Sequence, residues 1–307
     1  MHGVINVLKP PGISSAGVVN HIKNFLNCKK AGHTGTLDPQ AAGVLPICIG
    51  KGTKIANYIM SQKKTYICEA TLGKETDTDD IEGNVIFKCD NFSYNEKDIE
   101  QVLLSFKGDI IQVPPIYSAI RYKGKRSYEL AREGKYITPK ARTVTIYDIE
   151  LLDFFSPNKF LFKIECSKGT YIRSLCRDIG KTLGCGAYMS FLIRTQTGEF
   201  ELDNSFTFDE IKCFYEKDTV DKFLIPIDKA LTNFNSITVD DEQFERLING
   251  SPIHLKYIKD STLPIEVQLD TNEVLFKIYC KNKFIGIGFL QKNNDTNGYL
   301  RIKKLLL

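Results

Sequence analysis

Ala31-Gly32-His33-Thr34-Gly35-Thr36-Leu37-Asp38-Pro39 runs, through Gln40-Ala41-Ala42, into Gly43-Val44-Leu45-Pro46-Ile47-Cys48-Ile49-Gly50. A polar loop with two glycines, a histidine, two threonines and one acid is set against an apolar run of the kind a buried strand carries. Asp38 is the only acid before Lys64, so it is not part of a solvated charge face. A carboxylate so placed is a candidate for acid–base or nucleophilic chemistry. Asp-Pro and Gly are also common turn punctuation, and a tight turn is the plain alternative.

Upstream of this loop, residues 3–8 read as a short strand ended by Lys9-Pro10-Pro11-Gly12. Ser14 or Ser15 then caps a helix whose apolar residues Val18, Val19, Ile22, Phe25 and Leu26 recur at helical spacing. Downstream, 44–49 reads as a buried strand, 53–59 as a helix, 65–72 and 83–88 as strands, and 95–106 as a helix with Ile99, Val102, Leu103 and Phe106 on one face. Strands follow at 144–147 and 160–166, then a helix at 171–183 with Arg173 in its first turn, then a strand at 190–197. Composition changes near residues 223–235. Beyond it, 275–279 and 284–289 alternate around Asn282, which points to a small β domain. The tail 303–307 reads as a last strand or a frayed end.

Length and composition bound the possibilities. At 307 residues the chain is long enough for two domains, and 42% hydrophobic with 25% charged residues fits a soluble protein with a real core. The net charge of +4 is too small to identify a nucleic-acid partner, but its distribution is informative. Residues 113–142 hold eight Lys or Arg against two acids, a net of +6, while 75–100 hold nine acids against two lysines, a net of −7. That segregation is what a nucleic-acid-binding surface with an acidic flank would show. Nine cysteines, an odd number without a C-x-x-C pair, fit reduced thiols in a cytoplasmic protein better than a disulfide framework or zinc site. No signal-peptide pattern opens the chain, and no apolar window reaches the ~18 residues of a membrane span. Four scattered histidines make a histidine metal site improbable, and neither a P-loop nor a dinucleotide fingerprint is present.

Residues 32–54, GHTGTLDPQAAGVLPICIGKGTK, resemble the catalytic motif of the TruB family of bacterial tRNA pseudouridine-55 synthases. Asn6-Val7-Leu8-Lys9-Pro10-Pro11-Gly12-Ile13-Ser14-Ser15 resembles the family's opening motif. Lys64-Thr65-Tyr66, with Leu72-Gly73 and Thr76-Asp77-Thr78-Asp79, resembles its second segment, and Cys166-Ser167-Lys168-Gly169-Thr170-Tyr171-Ile172-Arg173 its third. The matches fall in family order over roughly residues 3 to 200. The resemblance implies an α+β fold. Its catalytic domain would span residues 1–235, with a central mixed, mostly antiparallel sheet flanked by helices and a basic RNA-binding insertion near 113–142. A small PUA-like β domain would span 238–307, on the weaker likeness of Asn249-Gly250-Ser251-Pro252-Ile253 and Phe284-Ile285-Gly286-Ile287-Gly288.

The implied activity is isomerisation of uridine to pseudouridine at position 55 in the T-loop of tRNA, by base flipping, without metal or cofactor. Asp38 matches the family's essential aspartate, which could add to ribose or base or take a ribose proton. Arg173 matches the arginine that faces it, the plain alternative being a surface arginine after a strand. Tyr66 matches a tyrosine placed to stack on the extracted uracil, although its position alone is that of any strand aromatic. His33 and Tyr171 are implied substrate contacts, and Leu192 an apolar pocket residue that core packing would explain equally well. Lys9 is expected to support the loop or reach a phosphate, against a solvated turn lysine. The insertion interleaves Tyr117, Tyr122 and Tyr128 with Arg121, Lys123, Lys125, Arg126 and Arg132, cations for phosphates beside faces for bases, although a solvated charge-rich loop has the same composition. The expected partner is the tRNA T stem-loop, with no membrane and no obligate protein partner, the chain acting as a monomer. Two other readings stand beside this one: a tRNA-folding chaperone in which catalysis is secondary, and a guide-RNA-dependent synthase, which the short segment before Gly3 and the basic insertion disfavour.

Overall fold

The computed structural model describes residues 1–117, 121–122, 125–126, 139–156, 158–259, 274–292 and 298–307; at Arg121, Tyr122, Lys125, Arg126, Ser156 and Lys292 it describes backbone alone. Strand β1 (Gly3–Lys9) leads to helix α1 (Ser15–Phe25), the short β2 (Ala31–His33) and β3 (Ala42–Ile49). After the short helix α2 (Ala56–Met60) come β4 (Lys64–Leu72), the ribbon β5 (Lys74–Thr76) and β6 (Val85–Lys88), helix α3 (Glu96–Ser105) and β7 (Gly108–Gln112). The hairpin β8 (Arg121–Tyr122) and β9 (Lys125–Arg126), β10 (Arg142–Ser156), β11 (Lys159–Cys166), helix α4 (Ile172–Leu183) and β12 (Ala187–Thr197) follow. The first sheet is completed by β13 (Phe200–Glu201) and, after helix α5 (Phe208–Glu216), by β14 (Leu224–Ile225).

These strands hydrogen-bond in the order β14-β1-β3-β12-β4-β11-β10-β7, with β2 on β3 and β13 on β12. Every pairing is antiparallel except β12 on β3. Helices α1, α3 and α4 bury Val18, Ile22, Ile99, Leu103, Leu175, Cys176 and Ile179 against the sheet in one continuous core. On the other side Val4, Val44, Cys48, Ile55 and Ile59 pack against Ile227, Leu231, Ile287 and Leu306. The second sheet therefore sits against the back of the first. It runs β15-β17-β18-β19-β16, built from β15 (Ser236–Thr238), β16 (Ile253–His254), β17 (Leu275–Cys280), β18 (Lys283–Lys292) and β19 (Gly298–Leu305). The tail reading resolves as strand: β19 continues to Leu305.

The two adjacent serines divide the work at the start of α1. Ser14 is the N-cap, accepting from Gly17 N at 3.0 Å. Ser15 turns inward instead; its Oγ accepts from Leu37 N at 2.8 Å and donates to Leu37 O at 2.9 Å. The helix start thus holds the loop that carries Asp38.

Residues 53–59 do not form one helix. A 3-10 turn covers Gly50–Ile55 and α2 starts at Ala56; Gly52 in that turn lies so close to β1 that a Cβ there would meet Gly3 O at 2.2 Å. Strand β10 is far longer than 144–147, since bulges near Ile146, Leu151 and Asp153 break the alternation that marks a strand in sequence. Helix α5 was not expected, although Thr207 and Glu210 form a capping box at its start.

Candidate active site

Asp38 ends a loop fastened at both shoulders. On one side Leu37 is held by Ser15. On the other, Gly12 N donates to Pro39 O at 2.9 Å and Ala41 N to Asp38 O at 3.1 Å. Lys9, fully buried at the end of β1, donates from Nζ to Pro39 O at 2.8 Å, Ala41 O at 2.6 Å and Pro10 O at 3.1 Å. Its ammonium is spent on three carbonyls under the loop, the supporting role that was one of the two expected of it. Burial pushes its pKa down to about 8, opposed by the charge of Asp38 and aided by that of Arg194.

The Asp38 carboxylate is 36% exposed, whereas the Arg173 side chain facing it is 7% exposed. Arg173 comes from the first turn of α4. Its Nη2 donates to Asp38 Oδ1 at 3.3 Å, and Nε lies 3.0 Å from Oδ2 as an ion-pair contact without hydrogen-bond alignment. The rest of the guanidinium is engaged too: Nη1 reaches Asp80 Oδ2 at 3.3 Å and Thr78 O at 3.1 Å, and Nη2 reaches Tyr117 O at 2.9 Å. Two carboxylates, Asp38 and the less exposed Asp80, therefore fix one planar cation. Burial raises the pKa of Asp80, with Thr78 and Arg173 holding it down.

Beside Asp38 lies a cavity of about 270 Å³, lined by Asp38, Ala41, Asp80, Met189 and Leu192, with Ile81 and Phe191 among its exposed apolar residues. Leu192 is thus in the cavity wall. Tyr66, 8% exposed on β4, is not among its lining residues; its hydroxyl bonds to Arg194, and burial raises its pKa. His33 ends β2, half-buried, its Nδ1 accepting from Gly35 N at 3.3 Å. Tyr171 exchanges two backbone hydrogen bonds with the Gln112 side chain, at 3.0 and 2.8 Å, and its ring lies 4.9 Å beneath the Arg142 guanidinium. The side chains of Arg121, Lys125 and Arg126 lie outside the described residues; their backbone forms the β8–β9 hairpin.

Three residues of the site were not foreseen. Asp80 is the second carboxylate on Arg173. Arg194, 1% exposed, donates from Nε to Val44 O at 2.8 Å and from Nη2 to Gly35 O at 3.2 Å. It reaches the loop because β12 crosses β3 at Gly43, where any Cβ would stand 2.1 Å from Arg194 O. Lys64, 5% exposed, donates to Met60 O and Gln62 O, both at 2.6 Å, and burial followed by the Arg194 charge pushes its pKa down to about 8. The sequence signal for Arg194 was its place two residues after Leu192, on the apolar phase of a strand.

The loop before β3 and the first turn of α4 thus bring an aspartate–arginine pair to the edge of a cavity. Solved structures share this fold. A Cbf5–Nop10–Gar1 complex aligns with a TM-score of 0.75 at 28% identity, over 99% of this chain and 85% of that one. An H/ACA ribonucleoprotein bound to a substrate RNA containing 2′-deoxyuridine aligns at 0.74 and 27%, with the same coverage. Family models place the chain more narrowly: the TruB family pseudouridylate synthase N-terminal domain matches residues 23–172, and the tRNA pseudouridylate synthase B C-terminal domain matches 173–232. The tRNA pseudouridine synthase B of Clostridioides difficile (strain 630) is 46% identical over 96% of this chain and 97% of its own length; that of Alkaliphilus oremlandii (strain OhILAs) is 43% identical over 100% and 99%. The chain belongs to the TruB family of pseudouridylate synthases. The boundary between the two family models is not a structural one, since α4 and β12, on its far side, carry Arg173 and the centre of the first sheet.

Proposed function

We propose that this chain converts uridine 55 in the tRNA T-loop to pseudouridine, with Asp38 as the essential acid. The observation that carries the reading is a partly exposed carboxylate at a cavity, aimed by a buried guanidinium that has no freedom of its own. The reaction breaks N1–C1′, turns the base, forms C5–C1′, releases the C5 hydrogen as a proton and leaves N1 protonated. Electrons balance within the nucleoside, so no step calls for a redox partner. Asp38 serves either by adding to ribose or base or by removing a ribose proton. Arg173 holds its charge and direction, and Leu192 gives the extracted base an apolar wall. Uridine 55 must leave its stack at a cost of a few kcal/mol, which phosphate contacts to the basic insertion would offset.

We read residues 238–307 as a PUA-like RNA-binding domain, the remainder up to 235 as the catalytic domain, and the chain as a cytoplasmic monomer; nine unpaired cysteines support a reducing compartment. Identity of 46% to a tRNA pseudouridine synthase B against 28% to a Cbf5 complex favours stand-alone action over guide-RNA dependence. Tritium release from [5-³H]uridine-labelled tRNA transcript tests the reading. Wild type should release tritium without added metal, and Asp38→Asn should not, while binding tRNA within about tenfold of wild type. Tight binding without release by either protein would favour the chaperone or the guide-dependent reading.

A further inference from the structure

Arg173 has a twin. Arg177 lies one helical turn along α4, 16% exposed, and its Nη1 pairs with Asp79 Oδ2 at 2.8 Å. Its Nη2 donates to Val113 O at 3.0 Å, and its Nε to Asp178 Oδ1 at 3.0 Å. The two arginines make parallel connections. Each takes one carboxylate from the turn Thr78-Asp79-Asp80 and one carbonyl from the segment that leads into the basic insertion: Tyr117 O for Arg173, Val113 O for Arg177. Ser174 Oγ adds a second donor to Val113 O at 3.0 Å.

The turn itself is unusual. Asp79 has φ of +63°, the left-handed region, and is 8% exposed. Its carbonyl accepts from Met189 N at 3.0 Å, so a cavity-lining residue hangs from it. A residue held in that conformation with its carboxylate buried persists only where its surroundings demand it. Asp80, next along the chain, takes its direction from this turn, and Asp80 aims Arg173.

We propose that Arg177, through Asp79, is a positioning residue for uridine isomerisation, fixing the turn from which Asp80 orients the Arg173 guanidinium at Asp38. The inference rests on the function proposed above. It ties catalytic geometry to the root of the RNA-binding insertion, because the same guanidinium holds Val113. Asp79 is faced by Arg177, Arg173, Asp178 and Lys181 of α4, with Asp80 beside it in the turn. Desolvation outweighs the two arginines and brings its pKa to about 6. Acidification through that range protonates Asp79 and weakens its pair with Arg177, so the strut carries a pH signature.

The test is the single-turnover rate of tritium release at saturating tRNA, with tRNA affinity measured in parallel. Arg177→Gln and Asp79→Asn should each lower the rate by about tenfold with affinity within about threefold, and the double variant should be no slower than the worse single by more than about twofold. Arg177→Lys should recover part of the loss. The wild-type rate should fall as pH drops through about 6, and that limb should be missing in Asp79→Asn. Rates equal to wild type in both singles, or losses that multiply, would overturn the strut. Should Arg177→Gln fail to fold, Asp79→Asn still decides: a wild-type rate in that variant refutes the inference. Absence of any release by wild type would instead refute the function on which it rests.

Discussion

Replacing Lys9 with methionine separates the energetic cost of a buried ammonium from its service to the site. The side chain has no exposure, and its pKa falls from 10.5 to about 8 on burial, which corresponds to about 3 kcal/mol against the charged form. Methionine nearly conserves volume and relieves that cost. Against it stand the carbonyls left behind. Pro10 is exposed and can turn to water, and Pro39 O keeps the bond from Gly12 N, so only the buried Ala41 O is orphaned. One orphan costs about 1–3 kcal/mol. The two effects nearly cancel, and Lys9→Met should unfold in urea at pH 7 within about 2 kcal/mol of wild type. Activity should not escape so lightly. Lys9 fixes Pro39 and Ala41, the residues that flank Asp38 on its C-terminal side, and about 1 Å of misplacement costs on the order of 10²-fold in rate. Titration gives an independent check. Between about pH 8 and 10.5 the unfolded chain keeps a proton on Lys9 that the folded chain has lost. Wild-type stability therefore rises with pH relative to Lys9→Met across that window, by up to about 3 kcal/mol, and the difference is constant below it. Comparing the two proteins cancels Lys64, which titrates in the same range. A flat difference from pH 7 to 10.5, or a turnover rate within about threefold of wild type, would refute this account of Lys9.

Two further outcomes follow from the charge layout. Lys125→Ala with Arg126→Ala should weaken tRNA binding and lower the slope of log K against log salt by about one to two, read from a filter-binding series; an unchanged slope would remove the basic insertion from the interface. Arg194→Met should destabilise by about 2–4 kcal/mol in urea unfolding, because Val44 O and Gly35 O lose a buried charged donor and the Tyr66 hydroxyl its partner. A variant as stable as wild type would show that this guanidinium contributes nothing net.

What could be read from sequence, and what could not, divides along sequence distance. The loop of Asp38, the cap at Ser14 and the helix face of Ile99, Val102, Leu103 and Phe106 are local: each is decided by residues within a turn or two of one another. The opposition of Asp38 and Arg173, 135 residues apart, needed the resemblance, since no local rule brings a loop after β2 to the first turn of α4. Bulges hid most of β10, and register rather than composition made β7 a strand.

Arg194 marks the limit of pattern reading most clearly. On its own strand it is a cation on the apolar phase, in step with Leu192, and alternation alone would count it as a register error or an edge residue. It is neither, because β12 lies between β3 and β4, at the centre of the sheet. The single parallel pairing of the first sheet, Gly43 against Arg194, brings the two backbones so close that only glycine fits on the β3 side. That contact lays the arginine beneath Gly35 and beside Tyr66. Gly43 opens the apolar run of the first motif, and Arg194 lies on the strand read at 190–197. Each explains the other, and the pairing that joins them is a property of the sheet order, which neither segment contains.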